Sequence, residues 1–143
     1  MRPLPVWLRA TLYTTFGALW ITGGVIFALK HYFQVATEFG SAPHPWQPDL
    51  LAIHGLVAVA ALYFFGWVSA QHVGDAWRSG TRRASGWWLI AVVSLLTLTG
   101  FGAYYLVEDS VRSVNGTIHE LVGLAFIVPG LVHLLVGRRK RRV

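Results

Sequence analysis

Cysteine is absent from the 143 residues of this chain. Disulfide bridges, thiolate nucleophiles and cysteine-bound iron–sulfur clusters are therefore excluded. Charge is also scarce, since 13% of the residues are charged, whereas about a quarter are charged in a typical soluble domain. Acidic residues are the scarcest, with six against twelve basic ones. The chain lacks the polar surface that a soluble domain of this length needs.

Long apolar runs are what the sequence has instead. Each is about 20 residues long, which is the length that an α-helix needs to cross a hydrocarbon core. Only helices and closed barrels satisfy their backbone there, and runs this continuous predict helices. We expect the first run to be a retained span and not a signal peptide, because it is longer than a usual signal core. The predicted fold is all-α, an integral membrane four-helix bundle with spans at about 10–29, 50–71, 86–107 and 117–137.

The charges divide between the two sides of this four-span arrangement. One side holds most of the basic residues, while the other holds most of the acidic ones. The positive-inside rule then predicts cytoplasmic termini and a cytoplasmic 73–85 loop. The basic tail is expected to anchor this topology on anionic lipid, so no nucleic-acid partner is expected. The basic residues on the inner side are Arg2, Arg9, Arg78, Arg82, Arg83, Arg138, Arg139, Lys140, Arg141 and Arg142.

The connections between spans carry further expectations. The 31–49 connection is the longest, and its three prolines predict that it is not helical throughout. It is expected on the outer side, as the docking surface for an external partner. Asn115-Gly116-Thr117 predicts a turn that leads into the fourth span. Five tryptophans near span ends predict interfacial anchors: Trp7, Trp46, Trp77, Trp87 and Trp88.

Four of the six histidines lie within or at the rims of spans two and four. His54 and His119 are expected toward the outer side, and His72 and His133 toward the inner side. The separation from His119 to His133 is 14 residues, about 21 Å of helix, and places both side chains on nearly the same face. The 18 residues from His54 to His72 are about five full turns, so these two also share a face.

If the two faces look at each other, each membrane leaflet presents a pair of imidazoles. A flat ligand that takes one axial nitrogen from each side fits such a pair, and haem is that ligand. Glycines near the histidines, Gly100, Gly123 and Gly130, are expected to leave room for a porphyrin edge, although small residues also allow close helix packing. Phe65 and Phe126 are expected between the two layers, as core filling or as lining of the gap between haems. Pro129 predicts a kink before His133.

These residues resemble a known family. The pattern of His119-x13-His133 on the last span, His54 and His72 on the second, and glycines 14 apart at Gly86 and Gly100 is similar to that of four-helix di-haem cytochrome b proteins. This family includes the membrane subunits of bacterial formate dehydrogenases and hydrogenases and small stand-alone relatives. The resemblance implies a location in a bacterial inner membrane and two b-type haems that move electrons between the quinone pool and an external redox protein or oxidoreductase subunit. In the dehydrogenase subunits the first helix supplies an inner ligand, which His72 is expected to replace here.

Other interpretations remain open. His31, at the outer end of span one, is a candidate for a quinone site or for replacing His54 as a ligand, and His44 lies in the loop. A small histidine-lined transporter or metal permease is the alternative function, because intramembrane ionisable groups mark such paths. No acidic residue lies deep in any predicted span, which disfavours this alternative. A structural anchor is the third possibility, and it explains the four histidine positions only by coincidence.

Overall fold

The computed structural model describes the backbone of residues 4–78 and 84–139, and the side chains of residues 4–74 and 84–135. The chain divides into two compact units, the first unit (Met1–Arg82) and the second unit (Arg83–Val143). The described residues form five helices and one hairpin: α1 Val6–Tyr32, β1 Val35–Thr37, β2 Gly40–Ala42, α2 Gln47–Arg78, α3 Ala84–Tyr105, α4 Asp109–Ala125 and α5 Ile127–Arg139.

Four helical segments are long and apolar enough to cross a membrane, which confirms the four predicted helical runs. Three of them are longer than the predicted runs, because these helices continue past the edges of the apolar residues, whereas the third has the same length of 22 residues and begins two residues earlier. The segments are Val6–Tyr32, Gln47–Gly74, Ala84–Tyr105 and Asp109–Leu135.

The apolar side chains of these helices face outward to an unusual extent. Among the described residues, the buried apolar side chains are Leu8, Ala61 and Val93. Large exposed apolar side chains occur on every helix, as at Leu56 and Leu98. A soluble protein rarely exposes apolar surface on this scale, so this surface is suited to contact with lipid. Four tryptophans near helix ends are also exposed: Trp7, Trp46, Trp87 and Trp88. The Trp77 side chain lies outside the described residues.

In the first unit, α1 packs along α2. The rings of Trp7 and Trp67 meet edge to face at 5.9 Å, and those of Phe16 and Phe65 at 6.0 Å. Such pairs contribute about 0.5–1.5 kcal/mol beyond the area that they bury. Phe65 therefore fills space between α1 and α2, which is one of the two roles that the sequence left open for it.

The connection between α1 and α2 contains a β-hairpin that the sequence did not predict. β1 and β2 pair antiparallel, with Val35 opposite Ala42 and Thr37 opposite Gly40. Gly40 has a φ of +111°, a conformation that L side chains rarely adopt. The Thr37 hydroxyl donates to the Gly40 carbonyl at 2.7 Å. The connection is not helical throughout, as predicted, although Pro48 lies in the first turn of α2. A hairpin of three-residue strands gives no apolar alternation to detect.

The second connection is shorter than expected, because α2 continues to Arg78 and α3 begins at Ala84. The predicted 73–85 loop is therefore wrong over much of its length, since a helix does not stop where its apolar run stops. The topology prediction depends on the ten basic residues of the inner side, and nine of their side chains lie outside the described residues. Those outside the described residues are Arg2, Arg78, Arg82, Arg83, Arg138, Arg139, Lys140, Arg141 and Arg142.

The fourth span begins earlier than predicted. α4 starts at Asp109, so Asn115-Gly116-Thr117 lies inside a helix and the predicted turn there is wrong. The Glu108 carboxylate caps this helix by accepting from the backbone N–H of Val111 at 2.8 Å and of Ser110 at 3.2 Å. This cap satisfies N–H groups that a helix start leaves without intrahelical partners.

Pro129 interrupts the fourth span as its sequence position predicted. Proline has no N–H and its ring collides with the carbonyl four residues earlier, which is that of Ala125. α4 ends at Ala125, Phe126 forms a turn, and α5 begins at Ile127. The Phe126 N–H donates to the Gly123 carbonyl at 3.3 Å, a tighter 3₁₀-type bond. The span therefore consists of two helical segments, with His119 on α4 and His133 on α5.

Candidate functional site

His54 of α2 contacts a threonine–glycine pair on α1. The Thr22 hydroxyl oxygen lies 2.8 Å from His54 Nδ1. A Cβ added to Gly23 would lie 3.3 Å from His54 Cε1 and 3.9 Å from Nδ1. Most carbon contacts are about 3.5–4.0 Å long, so a side chain larger than that of glycine would push the imidazole away by a few tenths of an ångström. The His54 ring is therefore held by a hydroxyl at one nitrogen and by bare backbone beside it.

The same arrangement occurs in the second unit between α3 and α4. The Thr99 hydroxyl oxygen lies 3.0 Å from His119 Nδ1. A Cβ on Gly100 would lie 3.2 Å from His119 Cε1 and 3.6 Å from Nδ1. Thr99 is 7% exposed, the most deeply buried polar side chain among the described residues. We call each such arrangement a cradle: the first cradle is Thr22–Gly23–His54 and the second cradle is Thr99–Gly100–His119.

The hydrogen bonds within these two cradles determine which ring nitrogen carries the proton. Each threonine hydroxyl also lies 2.8 Å from the carbonyl four residues earlier in its own helix. A hydroxyl has one proton, and a carbonyl can only accept it. The hydroxyl proton is therefore directed to the carbonyl, and the histidine Nδ1–H donates to the hydroxyl oxygen. In the neutral form of a ring held in this way, Nε2 carries the lone pair, and this form of imidazole binds metal ions.

His133 of α5 has a third cradle, Ser85–Gly86–His133, with longer contacts. The Ser85 hydroxyl oxygen lies 3.3 Å from His133 Nδ1. A Cβ on Gly86 would lie 3.7 Å from His133 Cε1, an ordinary van der Waals distance. Both dipeptides of α3, Ser85-Gly86 and Thr99-Gly100, thus contact a histidine of the fourth span. The equal 14-residue spacing on the two helices is explained by this pairing within the second unit.

His72 lies on α2, half-buried, 18 residues after His54. The dipeptides Thr22-Gly23, Ser85-Gly86 and Thr99-Gly100 account for the cradles of the other three predicted ligands. The structure brings His54, His119 and His133 each into contact with the hydroxyl residue and the glycine of its cradle.

Asn115 supports the second cradle from the other side of Thr99. Its side-chain Nδ2 donates to the Thr99 carbonyl at 2.8 Å. A Cβ on Gly102 would lie 2.9 Å from Asn115 Oδ1, so glycine is required for this approach. Asn115 and His119 are one helical turn apart on α4, and both reach Thr99. Thr99 is therefore fixed at its carbonyl and at its hydroxyl by two residues of the same helix.

The three glycines predicted to make room for haem have different neighbours. Gly100 makes room for the His119 imidazole, as described above. The nearest atom to a Cβ on Gly123 is Leu96 Cδ2 of α3 at 3.7 Å, so Gly123 lies at the contact between α3 and α4. The nearest atom to a Cβ on Gly130 is in the Phe126 ring, at 4.0 Å. Packing within the second unit therefore explains why glycine occurs at positions 100 and 123. That haem packs against Gly100, Gly123 and Gly130 stays a prediction.

The two remaining histidines lie near the hairpin. His31 is exposed at the end of α1, with its ring centroid 4.5 Å from that of Phe27. His44 accepts a hydrogen bond at Nδ1 from the Trp46 N–H at 3.2 Å. An open groove of about 410 Å³ contains His44 but not His31. It is lined by Leu29, Tyr32, Phe33, Gln34, Val35, His44 and Trp46.

The cradle threonines are functional candidates that the prediction from histidines and glycines alone did not find. The sequence does contain a signal for these threonines, because the same pattern of residues occurs in both units. Residues 53–60 and 118–125 both read I-H-x-L-V-x-x-A, and a Thr-Gly dipeptide precedes each on the neighbouring helix. The two Thr–His distances and the two Gly–His distances agree within a few tenths of an ångström between units. The repeat identifies His54 and His119 as equivalent residues.

Comparison with known proteins gives no family assignment: no protein-family profile, no curated protein and no solved structure matches the chain. Among the described residues, no three histidine or acidic side chains are grouped closely enough to hold a metal ion. A functional proposal therefore depends on the cradles and on the sequence pattern of this chain.

Proposed function

We propose that this protein transfers electrons across a bacterial inner membrane through two b-type haems, between the quinone pool and an external redox partner. His54 and His119 bind the outer haem iron, and His72 and His133 bind the inner one. The single observation that carries this proposal is the pair of equal cradles. Each places a threonine hydroxyl oxygen 2.8 or 3.0 Å from Nδ1 of a histidine within an apolar helix.

The cradles fit a metal ligand better than they fit a packing residue. Metal-binding histidines almost always donate their second ring N–H to an oxygen atom, which fixes the tautomer and the ring orientation. Thr22 and Thr99 supply that oxygen at 2.8 and 3.0 Å. A histidine in a membrane span is costly, and its presence normally marks a functional site. Two histidines held alike at equivalent points of a repeat are difficult to explain by packing.

Each part of the chain has a defined role in this proposal. Bound haem iron supplies one-electron cycling between its ferrous and ferric states. Threonine hydroxyls hold the Nδ1 proton, the glycines beside them let the rings approach α1 and α3, and the apolar helices exclude water. Two histidines per iron leave no position open for substrate chemistry. The protein therefore acts as an electron carrier, and as a subunit of an oxidoreductase complex it needs no catalytic residue at the iron.

The surfaces at the proposed outer side suit contact with redox partners. The hairpin strands and their turn are exposed, and Phe39 at the turn is 99% exposed. Phe39 projects from the hairpin turn and is the most exposed aromatic side chain of the 31–49 connection, so an external redox protein is proposed to dock there. His31 remains the proposed quinone-site residue, at the end of α1. The basic side chains of the opposite side are proposed to keep both termini in the cytoplasm.

Absorption spectroscopy of the purified full-length protein tests the proposal. We expect two haems per chain and a reduced-minus-oxidised difference spectrum of b type. His119→Ala is expected to remove one haem and leave the other, and His133→Ala is expected to do the same for the other haem. His44→Ala is the matched control, since His44 lies in the loop, and it is expected to keep two. Colourless wild-type protein reconstituted with haem but binding none would overturn the proposal, and bound zinc or copper would favour the metal permease.

A further inference from the structure

Two side chains of α4 contact Thr99 of the second cradle, and they lie one helical turn apart. Asn115 Nδ2 donates to the Thr99 carbonyl at 2.8 Å, and His119 Nδ1 lies 3.0 Å from the Thr99 hydroxyl oxygen. Side chains four residues apart leave an α-helix about 40° apart in direction and about 6 Å apart along its axis. The two contacts therefore hold α4 against Thr99 at two heights, which resists rotation of α4 more firmly than either contact does by itself.

Gly102 of α3 makes the approach of Asn115 possible. A Cβ on Gly102 would lie 2.9 Å from Asn115 Oδ1 and 3.0 Å from its Nδ2, whereas unbonded heavy atoms pack at about 3.5–4.0 Å. The side-chain amide therefore lies directly on the bare backbone of α3, and Gly102 is buried. A larger side chain at position 102 would push the amide away from this place. The second unit thus contains an amide–glycine pair, Asn115 and Gly102, one turn from His119.

The first unit has different residues at the positions equivalent to this pair. The Thr-Gly dipeptides of the two units are 77 residues apart, and the Ile-His dipeptides are 65 apart. By these offsets, Gly102 corresponds to Val25 and Asn115 corresponds to Leu50. A leucine side chain has no N–H group to donate, and valine carries a branched Cβ where glycine leaves space for the amide. The cradle of threonine, glycine and histidine is thus common to both units, whereas the amide–glycine pair is specific to the second.

We propose that Asn115 is a positioning residue for His119, which acts through Thr99 to keep the imidazole of the second cradle in one orientation. This inference rests on the proposed function, in which His119 binds haem iron. The Asn115 hydrogen bond fixes the Thr99 backbone and the rotation of α4, so the Thr99 hydroxyl stays within hydrogen-bonding distance of Nδ1. A ligand whose orientation is fixed in advance loses less conformational freedom when it binds. Because Leu50 takes the equivalent position in the first unit, this control of orientation is specific to His119 and does not extend to His54.

Proton exchange at the histidine side chains of the full-length holoprotein tests the inference. Ferrous haem iron with two axial histidines is diamagnetic, so NMR spectroscopy follows the Nδ1–H of each ligand separately. Asn115→Leu keeps a branched side chain of similar shape but removes the donor. We expect it to speed exchange of the His119 Nδ1–H with solvent about 2- to 12-fold, the effect of losing one typical hydrogen bond. The Nδ1–H protons of His54 and His133 are expected to exchange as in the wild type.

Two further variants examine the same contact. Gly102→Ala displaces the Asn115 amide from the α3 side and is expected to speed His119 exchange in the same way. It replaces Asn115→Leu as the test if that variant does not accumulate in the membrane. Gly116→Ala is the matched control on α4, since a Cβ on Gly116 would have no atom within 4 Å. It is expected to leave every one of these exchange rates unchanged.

Positioning and general loosening of the second unit give different results. Loosening would speed exchange at His133 as much as at His119, because the cradles of both histidines lie in that unit. That result would overturn the inference, and so would unchanged His119 exchange in Asn115→Leu or equal exchange in Gly102→Ala and Gly116→Ala. Wild-type protein without haem contradicts the proposed function itself. Wild-type protein that holds two haems, but whose His119 exchange does not respond to these variants, contradicts only the inference.

Discussion

Adding a single methyl group beside His54 gives the sharpest test of the first cradle. In Gly23→Ala, the new Cβ would lie 3.3 Å from His54 Cε1. Carbon atoms pack at about 3.5–4.0 Å, so the ring must move away by about 0.2–0.7 Å. The hydrogen bond to Thr22 is 2.8 Å long, and such a displacement stretches it toward or beyond the usual limit of about 3.2 Å.

The size of the effect follows from that stretched bond. A typical hydrogen bond contributes about 0.5–1.5 kcal/mol, which corresponds to an affinity change of about 2- to 12-fold. Alanine is also the better helix former by about 1 kcal/mol, so the helix itself gains stability. We therefore expect Gly23→Ala to fold as well as the wild type but to release haem about 2- to 12-fold more readily, measured by transfer to an apo-globin acceptor.

The adjacent glycine is a matched control for this experiment. A Cβ on Gly24 would have no atom within 4 Å, so Gly24→Ala gains the same helix propensity without touching His54. It is expected to retain haem as the wild type does. Equal haem release from Gly23→Ala and Gly24→Ala would refute the idea that glycine at position 23 serves the imidazole.

Two further predictions concern the N-terminal half of α4 and its cap. Asn115→Ala removes the hydrogen bond to the Thr99 carbonyl, and we expect the second unit to lose about 0.5–1.5 kcal/mol, seen as a lower melting temperature in detergent; an unchanged melt would contradict this role. The hydrogen bond from Ser110, followed by those of the Val111 and Ser110 backbone N–H groups, holds the pKa of Glu108 below its ordinary value. Because the folded pKa is depressed, the cap is complete above the ordinary pKa and is lost as the pH falls through the folded one. A carboxyl titration by NMR is expected to place Glu108 below a free glutamate, and a midpoint at or above the ordinary value would contradict the cap.

The apolar runs predicted the four long helices well, because length and hydrophobicity are properties of each segment by itself. The start of α4 was not predictable in the same way. Glu108 caps from a polar stretch, while Asn115, typical of turns, donates its side-chain N–H to α3 instead. The preference of Asn115-Gly116 for a turn is thus overridden by a contact that forms only when two helices pack.

The candidate site was also predictable in part from the sequence and in part only from the packing of helices. Histidines within apolar runs identified candidate ligands, and regular helix geometry explained the 14-residue interval. The hydroxyl partners depend on which helix lies beside which, so the spacing of histidines alone did not reveal Thr22 or Thr99. The repeated I-H-x-L-V-x-x-A, read together with the Thr-Gly pair upstream, is the signal that would have identified both. The hairpin had no comparable signal, since its strands are three residues each.

Because the helix is interrupted at Phe126, the last span consists of two helices joined end to end. In an unbroken helix, backbone hydrogen bonds transmit the movement of one turn to the next. Pro129 has no N–H, so one of these bonds is missing between α4 and α5. A small rotation of the segment bearing His133 can therefore be taken up at the joint without turning the segment that bears His119. One crossing of the membrane can thus offer two imidazoles whose aim is adjusted separately.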